Sequence, residues 1–335
     1  MHTNANGVNW VNVDMIYPWQ QPQWQAIQRL WQAQQLPHAL LLQGAADIGK
    51  QTFAQHFARA LLCHQVDSDY QACGVCKSCR LYQAGSHPDT QLIQRLDDKK
   101  EITIEQIRRL IAFLQLSQSI SQRKVVVIHQ AETMNINAAN SLLKTLEEPA
   151  ANTIILLVSA YPTKLLPTIR SRCQRLLFAL PDRRESLTWL QAQTLHTDAA
   201  VLLNIAGGKP LLALRYNDES RLAQRTQLIN DIGSVMTERK DWLQVAKQWE
   251  QHDRQEWLAW QLAWVNDLAR LHYDPDATIA EDVSKQLYRL RDLSNPNKLY
   301  DLYDSLISRA KIATHTINPL VFMEDVLICW KRVMY

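Results

Sequence analysis

Four of the six cysteines fall between positions 63 and 79: Cys63, then Cys73, Cys76 and Cys79 at C-x2-C-x2-C spacing. Four thiolates suit a closed tetrahedral Zn2+ site of the structural kind. A bacterial iron–sulfur run would need a further cysteine close to position 83, and that residue is Gln83. His64 and His87 stand nearby as spare donors, which four cysteines make unnecessary. Closed coordination leaves no position for a substrate, so the expected role of the metal is to fold this insertion. Cys173 and Cys329 read as ordinary buried thiols.

A second set of residues has the spacing of phosphate chemistry. Gly44-Ala45-Ala46-Asp47-Ile48-Gly49-Lys50-Gln51 fits the G-x-x-x-x-G-K portion of a phosphate-binding loop. Its glycines would let backbone N–H groups face phosphates, and Lys50 would reach the terminal oxygens. The next position should carry a hydroxyl for Mg2+, and it is Gln51; Thr52 comes one residue late, about 100° further round a helix. Asp47 adds a negative charge inside the would-be cradle. The strand Val125-Val126-Val127-Ile128 is followed by His129-Gln130, where a working ATPase needs one carboxylate for the metal and one for the attacking water. Two lesions in one site make Gly44, Gly49 and Lys50 a vestigial loop. ATP hydrolysis is not expected, nor is a bound cofactor.

The elements that position these residues alternate. Trp24, Ile27, Leu30 and Trp31 recur at helical spacing, and Ala39–Leu42 is a short apolar run ending at Gly44. Thr103 with Gln106 makes a capping box before Ile104, Ile107, Leu110, Ile111 and Leu114. Val125–Ile128 and Thr153–Val158 read as buried strands. Strands alternating with helices imply a parallel sheet covered on both faces. After Leu180 the strand signals stop. Trp242, Val245 and Trp249 share one helical face, and Trp257, Trp260, Trp264 and Leu268 another. Asn318-Pro319 supplies an N-cap and a first-turn proline for a last helix ending near Trp330. The expected class is α/β plus all-α.

Composition narrows the function. The 335 residues carry 36 Lys+Arg against 33 Asp+Glu, a formal charge of +3, with 47% hydrophobic and 21% charged residues. That balance excludes a disordered chain and a basic nucleic-acid tail. No apolar run approaches the ~18 residues of a membrane span. The first residues show no secretory pattern, and Met15 is a candidate true start. The expected compartment is the cytoplasm.

The segment Asn137-Ala138-Ala139-Asn140-Ser141-Leu142-Leu143-Lys144-Thr145-Leu146-Glu147-Glu148-Pro149 resembles the stretch after the second strand in clamp-loader subunits of the AAA+ superfamily. Pro167-Thr168-Ile169-Arg170-Ser171-Arg172-Cys173 carries the Ser-Arg-Cys motif of that family, and Leu36-Pro37-His38-Ala39-Leu40-Leu41 is similar to its entry into the first strand. The resemblance implies an AAA+ P-loop-type sheet domain, a small helical lid and a helical collar. Applied to this chain it gives an extension over 1–16, the sheet domain with its four-cysteine zinc module over 17–180, a lid over 181–222 and an oligomerisation collar over 223–335. A sensor arginine of the active members has Leu211 in its place. With Gln51 and His129-Gln130, this matches the member of the DNA polymerase III clamp loader that does not hydrolyse ATP, a rigid stator. The resemblance makes Arg172 an arginine finger presented in trans to a neighbouring ATPase subunit, a role worth roughly 10³–10⁵ in rate. The plainer alternative is a surface arginine paired with a carboxylate. Implied partners are gamma/tau-like ATPase subunits and a delta subunit, with the sliding clamp and primer-template DNA reached through the complex and no membrane. In the same reading some C-terminal tryptophans are interface anchors, against a plain core role. Two other readings stand beside it: an active AAA+ ATPase subunit, and a zinc-dependent nucleic-acid-binding module. The low net charge and the lack of aromatic–basic interleaving around Cys73–Cys79 speak against the last.

Overall fold

The computed structural model describes residues 2–3, 9–10, 16–96, 99–277, 279–313 and 317–334. Met15 lies outside the described residues, as does most of the extension before it. The chain divides into two units, one of residues 1–189 with Lys209–Leu211, the other of Leu190–Gly208 with Leu212–Tyr335.

In the first unit, β1 (His2–Thr3) pairs antiparallel with β2 (Asn9–Trp10). Among the described residues the main sheet has five strands: β3 (Ala39–Gly44), β4 (Thr90–Ile93), β5 (Lys124–Ile128), β6 (Thr153–Ser159) and β7 (Gln174–Phe178). Their order is β4-β5-β6-β3-β7, all neighbours parallel. Alternating side chains explain why the inner strands read as continuous apolar runs: successive residues serve opposite faces, and both faces are covered. Leu40, Leu42, Val125, Val127, Leu156 and Val158 pack with Phe53, Ala54 and Phe57 of α2 (Lys50–Leu62) and with Trp24 and Ile27 of α1 (Gln21–Gln32). Leu41, Val126, Ile128, Ile155 and Leu157 pack with Ile107, Leu110 and Leu114 on the other side. Those three belong to α4 (Ile104–Gln115), which follows α3 (Lys77–Gln83) in the chain. Ala138, Leu142 and Leu146 of α5 (Ile136–Glu147) complete that layer, before the short α6 (Pro167–Arg170). The Thr103–Gln106 capping box is formed at the start of α4.

β4 and β7 are strands that the apolar pattern does not announce. Thr90–Ile93 alternates between buried and half-buried, and Gln174–Phe178 is largely exposed. Both lie at sheet edges, where a strand needs no two-sided apolar run.

α7 (Arg183–Gln191) runs from the first unit into the second. The second unit is helical: α8 (Ala199–Ile205), α9 (Pro210–Tyr216), α10 (Glu219–Met236), α11 (Trp242–Trp249), α12 (Arg254–Tyr273), α13 (Ser284–Leu293), α14 (Pro296–Ile312) and α15 (Pro319–Lys331). Asn318 caps α15, with Pro319 in its first turn. Trp249, Trp257, Trp260, Trp264 and Trp330 are buried. Trp330 donates its indole N–H to Gln261 Oε1 at 2.7 Å and Trp260 to the Tyr216 hydroxyl at 3.1 Å. All five indoles are core groups of this chain, and these two have their polar edges satisfied inside it. The α/β plus all-α class is therefore the one the sequence implied. Among the described residues no helix is long and apolar enough to cross a membrane.

Candidate functional site

β3 lies between β6 and β7 and delivers Gly44 at its C-terminal end. A Cβ on Gly44 would sit 2.1 Å from the Phe178 carbonyl oxygen, so the approach of β7 requires a glycine there. The loop ends at Gly49, the N-cap of α2, with φ +86°. This is the strand–loop–helix that the phosphate motif demands.

The space beside Gly49 is taken by the chain itself. A Cβ on Gly49 would meet the Tyr17 ring at 2.5 Å and Gln20 Nε2 at 2.8 Å. Trp19 Nε1 and Gln20 Nε2 both donate to the Ile48 carbonyl, each at 3.0 Å. Tyr17 stacks flat on Trp19 with ring centroids 4.9 Å apart, and Trp189 meets both rings edge-on at 5.6 and 5.3 Å. Lys50 is 5% exposed and donates its ammonium to the Ala45 carbonyl of its own loop. Burial lowers its pKa to about 8, with Lys209 acting in the same direction and Glu132 and Asp47 against it. The cation meant for a phosphate is engaged by the backbone instead.

β5 is followed by no carboxylate until Glu132. His129, just past β5, is held down to about 4 by burial and by the charges of Lys50 and Arg95, so it is neutral at physiological pH. Gln130 adopts φ +50° and accepts from Arg95 Nε at 3.0 Å. The next acid, Glu132, accepts the Ala160 backbone N–H at 3.0 Å.

At the other end of α2 lies the cysteine cluster. Cys63 is the C-cap of α2 and Cys76 the N-cap of α3, accepting from the Cys79 backbone N–H. All four Sγ atoms lie within 4.8 Å of one another, with Cys63–Cys76 at 3.9 Å and Cys73–Cys79 at 4.0 Å. Thiolates on a tetrahedral zinc at ~2.3 Å would be about 3.8 Å apart, so this donor set could hold a metal ion. Backbone N–H groups of Cys73, Cys76 and Cys79 point at sulfurs at 3.3–3.4 Å. Burial pushes the Cys76 thiol up, but hydrogen bonds from the surrounding backbone and thiols outweigh it and bring it to about 6. Thiolate is the form a metal takes. His64 and His87 are not in the cluster. His87 instead lies 2.8 Å from Ser78 Oγ and 3.2 Å from Ser121 Oγ, and both hydroxyls donate to the Leu62 carbonyl. Its Nδ1 accepts from Asp89 N, and Asp89 itself accepts from the backbone of Ser119, Ile120 and Ser121. This buried network ties α3 to the end of α2 and to the strands beside it.

Arg172 follows α6 between two anchors. Ile169 is fully buried in the sheet's second core, and Cys173 is buried there too, its thiol pushed up to about 12 by that burial. The side chain between them faces out, 33% exposed, forming an ion pair with Glu147 at the end of α5. Nη1 donates to the Thr168 carbonyl at 2.9 Å. The expected residues therefore form three places: the closed phosphate loop, the sulfur cluster, and the outward Arg172. Sequence reasoning does not find Tyr17, Trp19 and Gln20 as the residues that fill the loop. The contacts of Trp19 and Gln20 with Ile48 span 29 and 28 positions, which no local pattern encodes. Glu147 and Ser78 likewise carry no local mark as partners of the site residues.

The family described as DNA polymerase III, delta subunit, matches residues 19–182, and its C-terminal counterpart matches 219–332. The DNA polymerase III subunit delta′ of Pseudomonas aeruginosa is 36% identical over 94% of this chain and 97% of its own. The delta′ subunit of Escherichia coli is 28% identical over 93% and 94%. A DNA polymerase III gamma-subunit-related protein of Thermotoga maritima, a solved structure, aligns over 93% of this chain and 99% of its own with 17% identity and a TM-score of 0.43.

Proposed function

The chain belongs to the family of DNA polymerase III delta′ clamp-loader subunits, and on that premise we propose that it is the loader's non-hydrolysing stator. In this reading it braces gamma/tau-like ATPase subunits and a delta subunit in the cytoplasm, and through them helps place the sliding clamp on primed DNA. It is no ATPase by itself. Its catalytic contribution is Arg172, offered to the nucleotide of a neighbouring subunit, where a positive charge on a γ-phosphate stabilises the transition state. The lid over 181–222 and the collar over 223–335 belong to the same proposal.

The observation that carries the reading is the closed loop: Tyr17, Trp19 and Gln20 fill the space over Gly49 while Lys50 bonds Ala45. Gln51 and His129 support it, since neither offers the hydroxyl or carboxylate that Mg2+ needs. Calorimetric titration of the purified chain with ATP and Mg2+ tests it. No heat of binding is expected; micromolar binding would reopen the active-ATPase reading.

Cys63, Cys73, Cys76 and Cys79 would hold one structural zinc, whose chemistry is to fold the segment between α2 and α3. Metal analysis after native purification should give one zinc per chain. Well under one would remove this part of the proposal.

A further inference from the structure

Taking Arg172 as the finger for a neighbouring site, which is the reading above, we propose that Glu147 is a positioning residue that parks it when no phosphate is in reach. Both ends of the guanidinium fork are engaged within the chain. Nη1 holds the Thr168 carbonyl at 2.9 Å, with Ser171 Oγ at 3.4 Å, and Nη2 is paired with Glu147. A γ-phosphate takes arginine best through two parallel N–H donors. Arg172 must therefore release Glu147 before it can grip a neighbour's nucleotide, while the Thr168 contact can stay as a pivot.

Glu147 is the last residue of α5, where the negative end of the helix dipole disfavours a carboxylate. Lys144, the basic residue of that last turn, is three positions back, and Glu148 follows directly. The acid is therefore set where a second cation helps it, and Arg172 is that cation. Arg172 is half-buried, 33% exposed, while Glu147 is exposed at 47%, so water reaches the pair from the carboxylate side. Pairs of that exposure are weak and easily exchanged. A phosphate, with more charge and two oxygens in line, displaces the carboxylate. The carboxylate left behind then faces the phosphate with a like charge, which keeps the finger's engagement conditional on how closely the neighbour approaches.

The test uses the assembled loader with full-length subunits and reads ATP turnover without DNA. Glu147→Gln keeps the shape and removes the charge, so kcat should rise about two- to fivefold, the span of an exposed pair, with KM unchanged. Glu147→Ala should move it the same way. Either change made on top of Arg172→Ala should have no further effect, because the parked group is gone. Turnover in Glu147→Gln at or below that of the parent complex, with Arg172→Ala strongly impaired, would overturn the parking role and leave the finger intact. Full turnover in Arg172→Ala would instead sink the finger reading itself. A rise in Glu147→Gln that persists without Arg172 would also overturn the proposal, since the carboxylate would then act through something else.

Discussion

Lys50 and Arg172 are two cations of the same sheet unit, one opening α2 and one just after α6, and their surroundings are opposite. Lys50 is 5% exposed, its pKa lowered to about 8 by burial, and its protons go to a carbonyl of its own loop. Arg172 stands outward between the buried anchors Ile169 and Cys173, held by a backbone carbonyl, a neighbouring hydroxyl and an exposed carboxylate. One cation is buried and bound to a carbonyl of its own loop, so it has no free reach. The other can be handed over with little loss. The difference marks what the proposed division of labour asks of each cation: a finger offered in trans needs reach and a rigid base, and the buried Lys50 has neither reach nor a free ammonium.

That contrast can be broken at the loop. Gly49→Ala should be the most damaging loop change, about 2–4 kcal/mol, because a side chain at φ +86° is strained and its Cβ would enter the Tyr17 ring. Thermal or urea unfolding would read the loss. A substitution tolerated without loss would mean that Tyr17 and Gln20 do not fill the loop.

Lys50→Met should act in the other direction. A lysine lowered from 10.5 to about 8 penalises the folded state fully below pH 8. The penalty is relieved as pH rises from 8 to 10.5, where the unfolded chain binds the extra proton. Removing the ammonium should stabilise the protein by about 1–3 kcal/mol at pH 7 and flatten that alkaline rise. His129 supplies the acidic counterpart. Its pKa lies near 4 instead of 6.5, so stability should fall as pH drops through that window, by about 2–3 kcal/mol if the ring is charged only in the unfolded state. Denaturant midpoints of the parent and of His129→Gln across that pH window would show the slope and its loss.

The smallest effect is the most discriminating. Gln51→Thr combined with His129→Asp puts back the missing metal ligands, yet nucleotide binding should stay absent, because Trp19 and Gln20 still hold Ile48. Calorimetric binding of ATP to the double variant would show that ligand loss alone, not the filled loop, silences the site.

Much of this was legible in the chain. Gly44, Gly49 and Lys50 mark a strand–loop–helix because backbone turns and helix starts are local features. Cys63, Cys73, Cys76 and Cys79 mark a sulfur cluster because thiols so close in sequence have few ways to lie apart once α2 and α3 pack. The Thr103–Gln106 box and the Asn318–Pro319 start formed where their chemistry dictates. What stayed hidden depends on distance along the chain. Trp19 finding Ile48, Arg172 finding Glu147 and Ser78 finding Ser121 are meetings of elements brought together by the sheet, with no periodicity to announce them. The tryptophans of α11 and α12 carried the right pattern for core packing, and burial decides for it in Trp249, Trp257, Trp260 and Trp264.

The two cations can be set against each other in one experiment. Loader reconstituted with Lys50→Ala or with Arg172→Ala would be assayed for DNA-stimulated ATP turnover, after confirming equal assembly and equal zinc content. Arg172→Ala should lose on the order of 10³ in rate at the neighbouring site it is proposed to complete, while Lys50→Ala should turn over like the parent complex. Turnover kept by Arg172→Ala, or lost to the same degree by Lys50→Ala, would mean that the outward cation is not the working one.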